Sequence, residues 1–168
     1  METTLPVRLL SAPDNDAVAR LLDAEPLAGA FVADRLATHG WSRGNRLYGY
    51  SRGGALMAVC LSAANLVPVG CDEAAADAFA DVARREGRQC SSIVGAGPAV
   101  RRLWRGLRPY WGEARAMREH QPLLVTDRPA PVAPDLFVRR STRADLPAIF
   151  PAAVAMYTEE VGVSPLAD

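Results

Sequence analysis

Residues 45–70 read NRLYGYSRGGALMAVCLSAANLVPVG. Two apolar runs, RLYGYS and ALMAVCLS, flank RGG, the glycine-rich connection of a strand hairpin. NLVPV continues as a third strand. Its Pro68 marks an edge or a bulge, because proline donates no hydrogen bond to a ladder. CDEAAADAFADVARREG then reads as a helix. Asp72 and Glu73 stand at its start, Arg84 and Arg85 in its last turn, and Gly87 just beyond. Three antiparallel strands feeding a helix place the chain in the α/β (α+β) class, with a mixed, mainly antiparallel sheet flanked by helices.

The flanks complete one domain. Upstream, PVRLL (6–10) is a short strand, followed by a helix with Val18, Leu21 and Leu22 at helical spacing. After Pro26 a second helix places Leu27, Phe31 and Leu36 on one face and stops at His39 and Gly40, where His39 suits the negative end of the helix dipole. Downstream, QCSSIVGA is a strand, PAVRRLWRGL a helix with Pro98 near its first position, and ARAMREHQPLLVT a final strand. Val59, Leu61, Ile93, Val94, Leu103, Trp104, Leu123 and Leu124 are the expected core.

Composition narrows the partners. Formal net charge is zero, so no global field favours nucleic acid or an anionic membrane. No run of 18 apolar residues occurs, and the first residues lack a secretory signal, so a cytoplasmic location is expected. All 19 basic residues are arginine, which fits a GC-rich coding bias. Cys60, Cys71 and Cys90 form no CxxC pair and have no histidine nearby. Reduced, buried thiols are expected and no metal site.

SSIVGAGPAVRRLWRGL (91–107) carries a glycine fingerprint of the kind that holds a dinucleotide pyrophosphate. Its third glycine position is Val100, whose branched side chain obstructs close helix–strand approach. No acidic partner follows at the right place, since Glu119 falls inside the expected last strand. Gly95, Gly97 and Pro98 therefore read as a tight strand-to-helix turn. The helix beyond puts Val100, Leu103, Trp104 and Leu107 on one face and Arg101, Arg102, Arg105 and Arg108 on others. That basic surface suits a solvated face; nucleic-acid binding is not expected of a neutral chain.

DRPAPVAP (127–134), with three prolines in eight residues, is a semi-rigid linker. It separates a first domain, 1–126, from a second start at 135–168. There the order strand, polar helix start, helix repeats: FVRRSTRADLPAIF follows the scheme of VRLLSAPDNDAVARLL.

The order strand, two helices, three strands, helix, strand, helix, strand resembles the GNAT superfamily of N-acetyltransferases. The residues that carry the likeness are LYGYSRGGALMAVCLSAANLVPVG, SSIVGAGPAVRRLWRGL, QPLL and above all FPAAVAMYTEEVGVSP. They resemble a bacterial two-part group with an N-terminal GNAT-like domain of unknown function and a C-terminal GNAT domain. The resemblance implies transfer of acetyl from acetyl-CoA to a small-molecule or protein amine, by direct attack on the thioester. It also implies a Q/R-x-x-G-x-G/A loop for the cofactor pyrophosphate, opening the helix after the fourth strand. The first domain has Gly70 there but not the loop, and Asp72 and Glu73 occupy the helix start. A degenerate copy that does not bind the cofactor is expected. The second copy stops at Asp168, before such a loop, so the chain reads as an N-terminal fragment with no acetyl-CoA bound by it alone. In the family the first helices line the acceptor side, which makes Tyr157, Glu159 and Glu160 the candidate substrate-binding residues. The alternative is a non-catalytic regulatory or dimerising module, with a homodimer as its simplest form.

Overall fold

The chain divides into two units, residues 1–121 and 122–168. The computed structural model describes residues 6–42 and 44–167. The first unit runs β1 (Val7–Leu9), α1 (Asn15–Ala24), α2 (Ala30–His39), β2 (Arg46–Arg52), β3 (Ala55–Ser62), β4 (Asn65–Val69), α3 (Glu73–Glu86), β5 (Ser92–Ile93) and α4 (Gly97–Trp111). The strands form one sheet in the order β1-β2-β3-β4-β5, antiparallel except for the parallel β4–β5 pair. The mixed, mainly antiparallel α+β architecture is the one expected from the sequence.

Gly53 and Gly54 take φ of 59° and 83°, the left-handed pair that a two-residue hairpin turn demands. The turn sets the β2–β3 register from Arg52↔Ala55 outward, with Met57 left over opposite the Tyr50–Ser51 step as a bulge. Alternation then feeds two cores. Leu47, Val59, Leu61, Val67 and Val69 pack with Val18, Leu22 and Val32 of α1 and α2. Tyr48, Tyr50, Ala58, Cys60 and Leu66 pack with Phe79, Leu103 and Leu107 of α3 and α4. The helices α3 and α4 cross closely at Gly106, where a Cβ would stand 2.9 Å from that of Ala80.

Several expectations are corrected. No strand forms over 114–126, and Leu123 and Leu124 are exposed. The β5 edge offers just two residues, because Gly95 (φ 156°) turns the chain away directly after Val94. Val94 is also exposed; its N–H reaches Leu66 O at 3.0 Å, but its side chain has left the sheet. Ile93 and Trp104 are only partly buried, whereas Val59, Leu61 and Leu103 are fully inside. On α2 the buried residue is Val32; Leu36 is partly covered and Phe31 faces out, while Leu27 lies ahead of the helix and is exposed. Pro68 lies beyond the two β4–β5 pairs, on the side where β4 is an edge, as the sequence suggested.

The second unit holds one long helix, α5 (Leu146–Val161), and no strand among its described residues. The expected strand at 135–140 is a turn: Asp135 Oδ1 accepts from the Phe137 N–H at 2.8 Å, and Leu136, Phe137 and Val138 are exposed. The start of α5 nevertheless repeats the start of α1 residue for residue. In the first unit Arg8 pairs with Asp14, whose carboxylate also accepts the Ser11 N–H at 2.9 Å, and a short 3-10 turn leads into α1. In the second, Arg139 pairs with Asp145 at 2.6 Å, the Thr142 N–H donates to that carboxylate at 2.7 Å, and a 3-10 turn leads into α5. The Arg8 guanidinium chiefly holds Asp14 down at about 2, and Arg139 chiefly holds Asp145 well below the usual carboxylate range.

Leu103→Ala should cost about 2–5 kcal/mol in a denaturant melt, the range for truncating a fully buried leucine. Trp104→Ala should cost less, because Trp104 is partly exposed. A larger loss at Trp104 than at Leu103 would mean that α4 turns Trp104, not Leu103, into the core.

Candidate functional site

The start of α3 is where the GNAT resemblance would seat a cofactor pyrophosphate. Strand β4 ends at Val69, Gly70 turns with φ of 70°, and Asp72 caps the helix from an extended backbone. Its Oδ1 accepts the Ala75 N–H at 2.8 Å, so one of the free helix donors already has an acceptor. Its Oδ2 stands 2.8 Å from Arg52 Nη2. Glu73 pairs with Arg102 Nη1 at 3.1 Å, and Arg102 grips Asp77 by two bonds of 2.6 and 2.7 Å. The Ala75 N–H first, and Arg52 second, hold the Asp72 carboxyl below its ordinary range. Two carboxylates, Asp72 paired with Arg52 and Glu73 with the Arg102 that Asp77 also holds, thus occupy the position an incoming diphosphate would need. The residues present do not fit that group: its charge would meet Asp72 and Glu73 at close range, and the arginines that could compensate are engaged.

Cys71 adds no nucleophile there. Burial, with Asp72 adding to it, pushes its thiol up to about 12. Cys60 and Cys90 are buried and raised in the same direction, and all three thiols are free. Among the described residues no group of three or more His, Cys, Asp or Glu side chains gathers as a metal site.

The glycine fingerprint has a structural use. A Cβ at Gly95 would stand 3.1 Å from Pro68 O, so glycine lets the β5–α4 turn lie against β4. Helix α4 starts at Gly97 with Pro98 in its first turn. Glu119, at roughly dinucleotide spacing, lies in irregular chain and is exposed.

Tyr157, Glu159 and Glu160 occupy the last turns of α5 and are exposed. Tyr157 and Glu160 are three apart and share a face. Glu159 lies about 200° around the helix from Tyr157, at about 100° per residue. The helix alone therefore presents one carboxylate beside the phenol and sends the other elsewhere. The helix closes at Gly162, whose N–H reaches Thr158 O at 2.8 Å.

One cluster had no signal in the sequence. Glu86, at the end of α3, accepts from Arg46 at 2.5 Å and from the Tyr48 hydroxyl, both on β2. Burial first, then Glu86, push the Tyr48 hydroxyl above the usual tyrosine range, so it stays protonated and serves as a donor. The partners are 38 and 40 residues apart, and their role is to tie α3 to the sheet.

The family described as "Domain of unknown function (DUF4081)" matches residues 45–149. That is more than half of the chain, and the chain belongs to this family. The matched span takes in β2 to β5, α3, α4 and the first residues of α5. No curated protein and no solved structure matches it. No helix described here is long and apolar enough to cross a membrane.

Asp72→Ala should lower the urea midpoint at neutral pH, because the variant loses the cap and the Arg52 pair. The folded pKa of Asp72 lies below its unfolded value. Its contribution is therefore present above the unfolded pKa and lost as pH falls through the folded one. The gap between variant and parent should close across the acid range. A gap that persists unchanged at about pH 2 would assign the loss to packing instead.

Proposed function

We propose that, in this member of the DUF4081 family, the first unit is a GNAT-like module that does not hold acetyl-CoA and acts as the non-catalytic companion of an N-acetyltransferase. The observation that carries this reading is the start of α3, where Asp72 and Glu73 stand paired with Arg52 and Arg102 in place of a diphosphate. The element order around the sheet supports the GNAT likeness.

Acetyl transfer to a small-molecule or protein amine is assigned to the second unit's domain, with acetyl-CoA as the donor and Tyr157, Glu159 and Glu160 on the acceptor side. Support for a second copy comes from the matched openings, Arg8–Ser11–Asp14 before α1 and Arg139–Thr142–Asp145 before α5. Carboxylates near an acceptor amine favour its cationic form on approach and can take its proton. Regulation or dimerisation is the role proposed for the first unit itself.

Isothermal titration of the 168-residue chain with acetyl-CoA tests the central part. No saturable heat is expected at concentrations up to hundreds of micromolar. A dissociation constant in the low micromolar range, roughly −8 kcal/mol of binding, would contradict the companion role and move the search for catalysis into the first unit.

A further inference from the structure

From Arg101 to Arg118 the sequence holds six arginines and one acid, Glu113, in a chain of zero net charge. Arg102 is engaged by Asp77 and Glu73, and Arg108 by Glu113 at 2.7 Å. Arg101, Arg105, Arg115 and Arg118 are exposed and make no ion pair among the described residues. Arg101, Arg105 and Arg108 fall at i, i+4 and i+7, one face of α4. They border a groove of about 700 Å³ whose apolar lining is Trp104, Pro109 and Met117. Met117 is well exposed and Trp104 is partly so. An arginine border around an apolar strip is complementary to a chain that alternates carboxylates with apolar side chains.

We propose that this groove docks an acidic, apolar-spaced peptide segment of a partner protein, its carboxylates on Arg101 and Arg105 and an apolar side chain against Trp104 and Met117. Nucleic acid fits the same surface less well. Single-strand binders offer successive aromatic platforms for bases. Here the Tyr110 ring already lies under Arg84, 4.8 Å from its guanidinium, and Trp111 packs against the core, which leaves one ring available. The inference is independent of whether the first unit binds acetyl-CoA.

Fluorescence anisotropy with the full chain and a labelled peptide alternating Glu and Leu tests it. The comparators are the same peptide with Gln for Glu and a single-stranded oligonucleotide. The acidic peptide should bind saturably at low salt and weaken as the screening length falls toward about 3 Å near 1 M salt. Arg101→Glu/Arg105→Glu should weaken it by about tenfold or more. Arg20→Glu/Arg85→Glu, the same charge change away from the groove, should leave it within about twofold. Binding should also shift tryptophan emission, and Trp104→Phe should remove that shift, a readout that does not depend on the charge variants folding. The proposal is overturned by absence of saturable binding, by equal binding of the Gln peptide, by equal loss in both charge variants, or by tighter binding of the oligonucleotide.

Discussion

The Gly53–Gly54 turn is the constraint on which the rest of the first unit depends. It sets Arg52 opposite Ala55, and together with the one-residue bulge at Met57 it assigns a side to every residue upstream. A slip of one residue would send Tyr48 and Tyr50 into the layer of α1 and α2 and bring Leu47 under α3. Both cores would be lost together, because β2 and β3 supply side chains to each. The same register delivers Arg52, on the side of Tyr48 and Tyr50, to the start of α3. Its guanidinium lies 5.7 Å from the Tyr50 ring centre and reaches Asp72. The hairpin thus decides the electrostatics of a helix start twenty residues downstream.

That helix start is where fold and function separate. An architecture of mixed sheet and flanking helices does not by itself state what the protein does; the site does. A helix N-terminus is a ready seat for phosphate when its donors are free and its surroundings positive. In α3 the cap is Asp72, the next residue is Glu73, and the two nearby arginines, Arg52 and Arg102, are already engaged by three carboxylates, Asp72, Glu73 and Asp77. The helix gains stability from its own cap at the expense of the anion site. The α4 surface has the opposite character, with arginines in excess of acids, and there the charge is available to a partner.

Much of this was legible in the sequence, for reasons that are local. RGG between two apolar runs, Asp72 and Glu73 before AAADAFADV, and Gly95-Ala96-Gly97-Pro98 each specify a turn or a cap within a few residues. What failed was non-local. MREHQPLLV has strand-like composition, yet a strand needs an edge to pair with, and β5 offers two residues. The second unit's FVRR fails as a strand likewise, with no partner among its described residues, while the polar signal STRAD just after it does open a helix. The candidate residues Tyr157, Glu159 and Glu160 fell on a helix, as their surroundings implied, but adjacent numbering hid that Glu159 points away from Tyr157. Arg52–Asp72, Arg102–Asp77 and Arg46–Tyr48–Glu86 join residues twenty to forty apart, and no sequence spacing announces them.

The occupied start of α3 can be observed one amide at a time. In a proton–nitrogen correlation spectrum of the labelled chain, the Ala75 N–H reports directly on its bond to Asp72. Titration with coenzyme A at neutral pH should leave that resonance in place, because the ionised Asp72 holds the donor. A saturable shift at Ala75 that follows coenzyme A concentration would show the cap displaced by phosphate and would contradict the account.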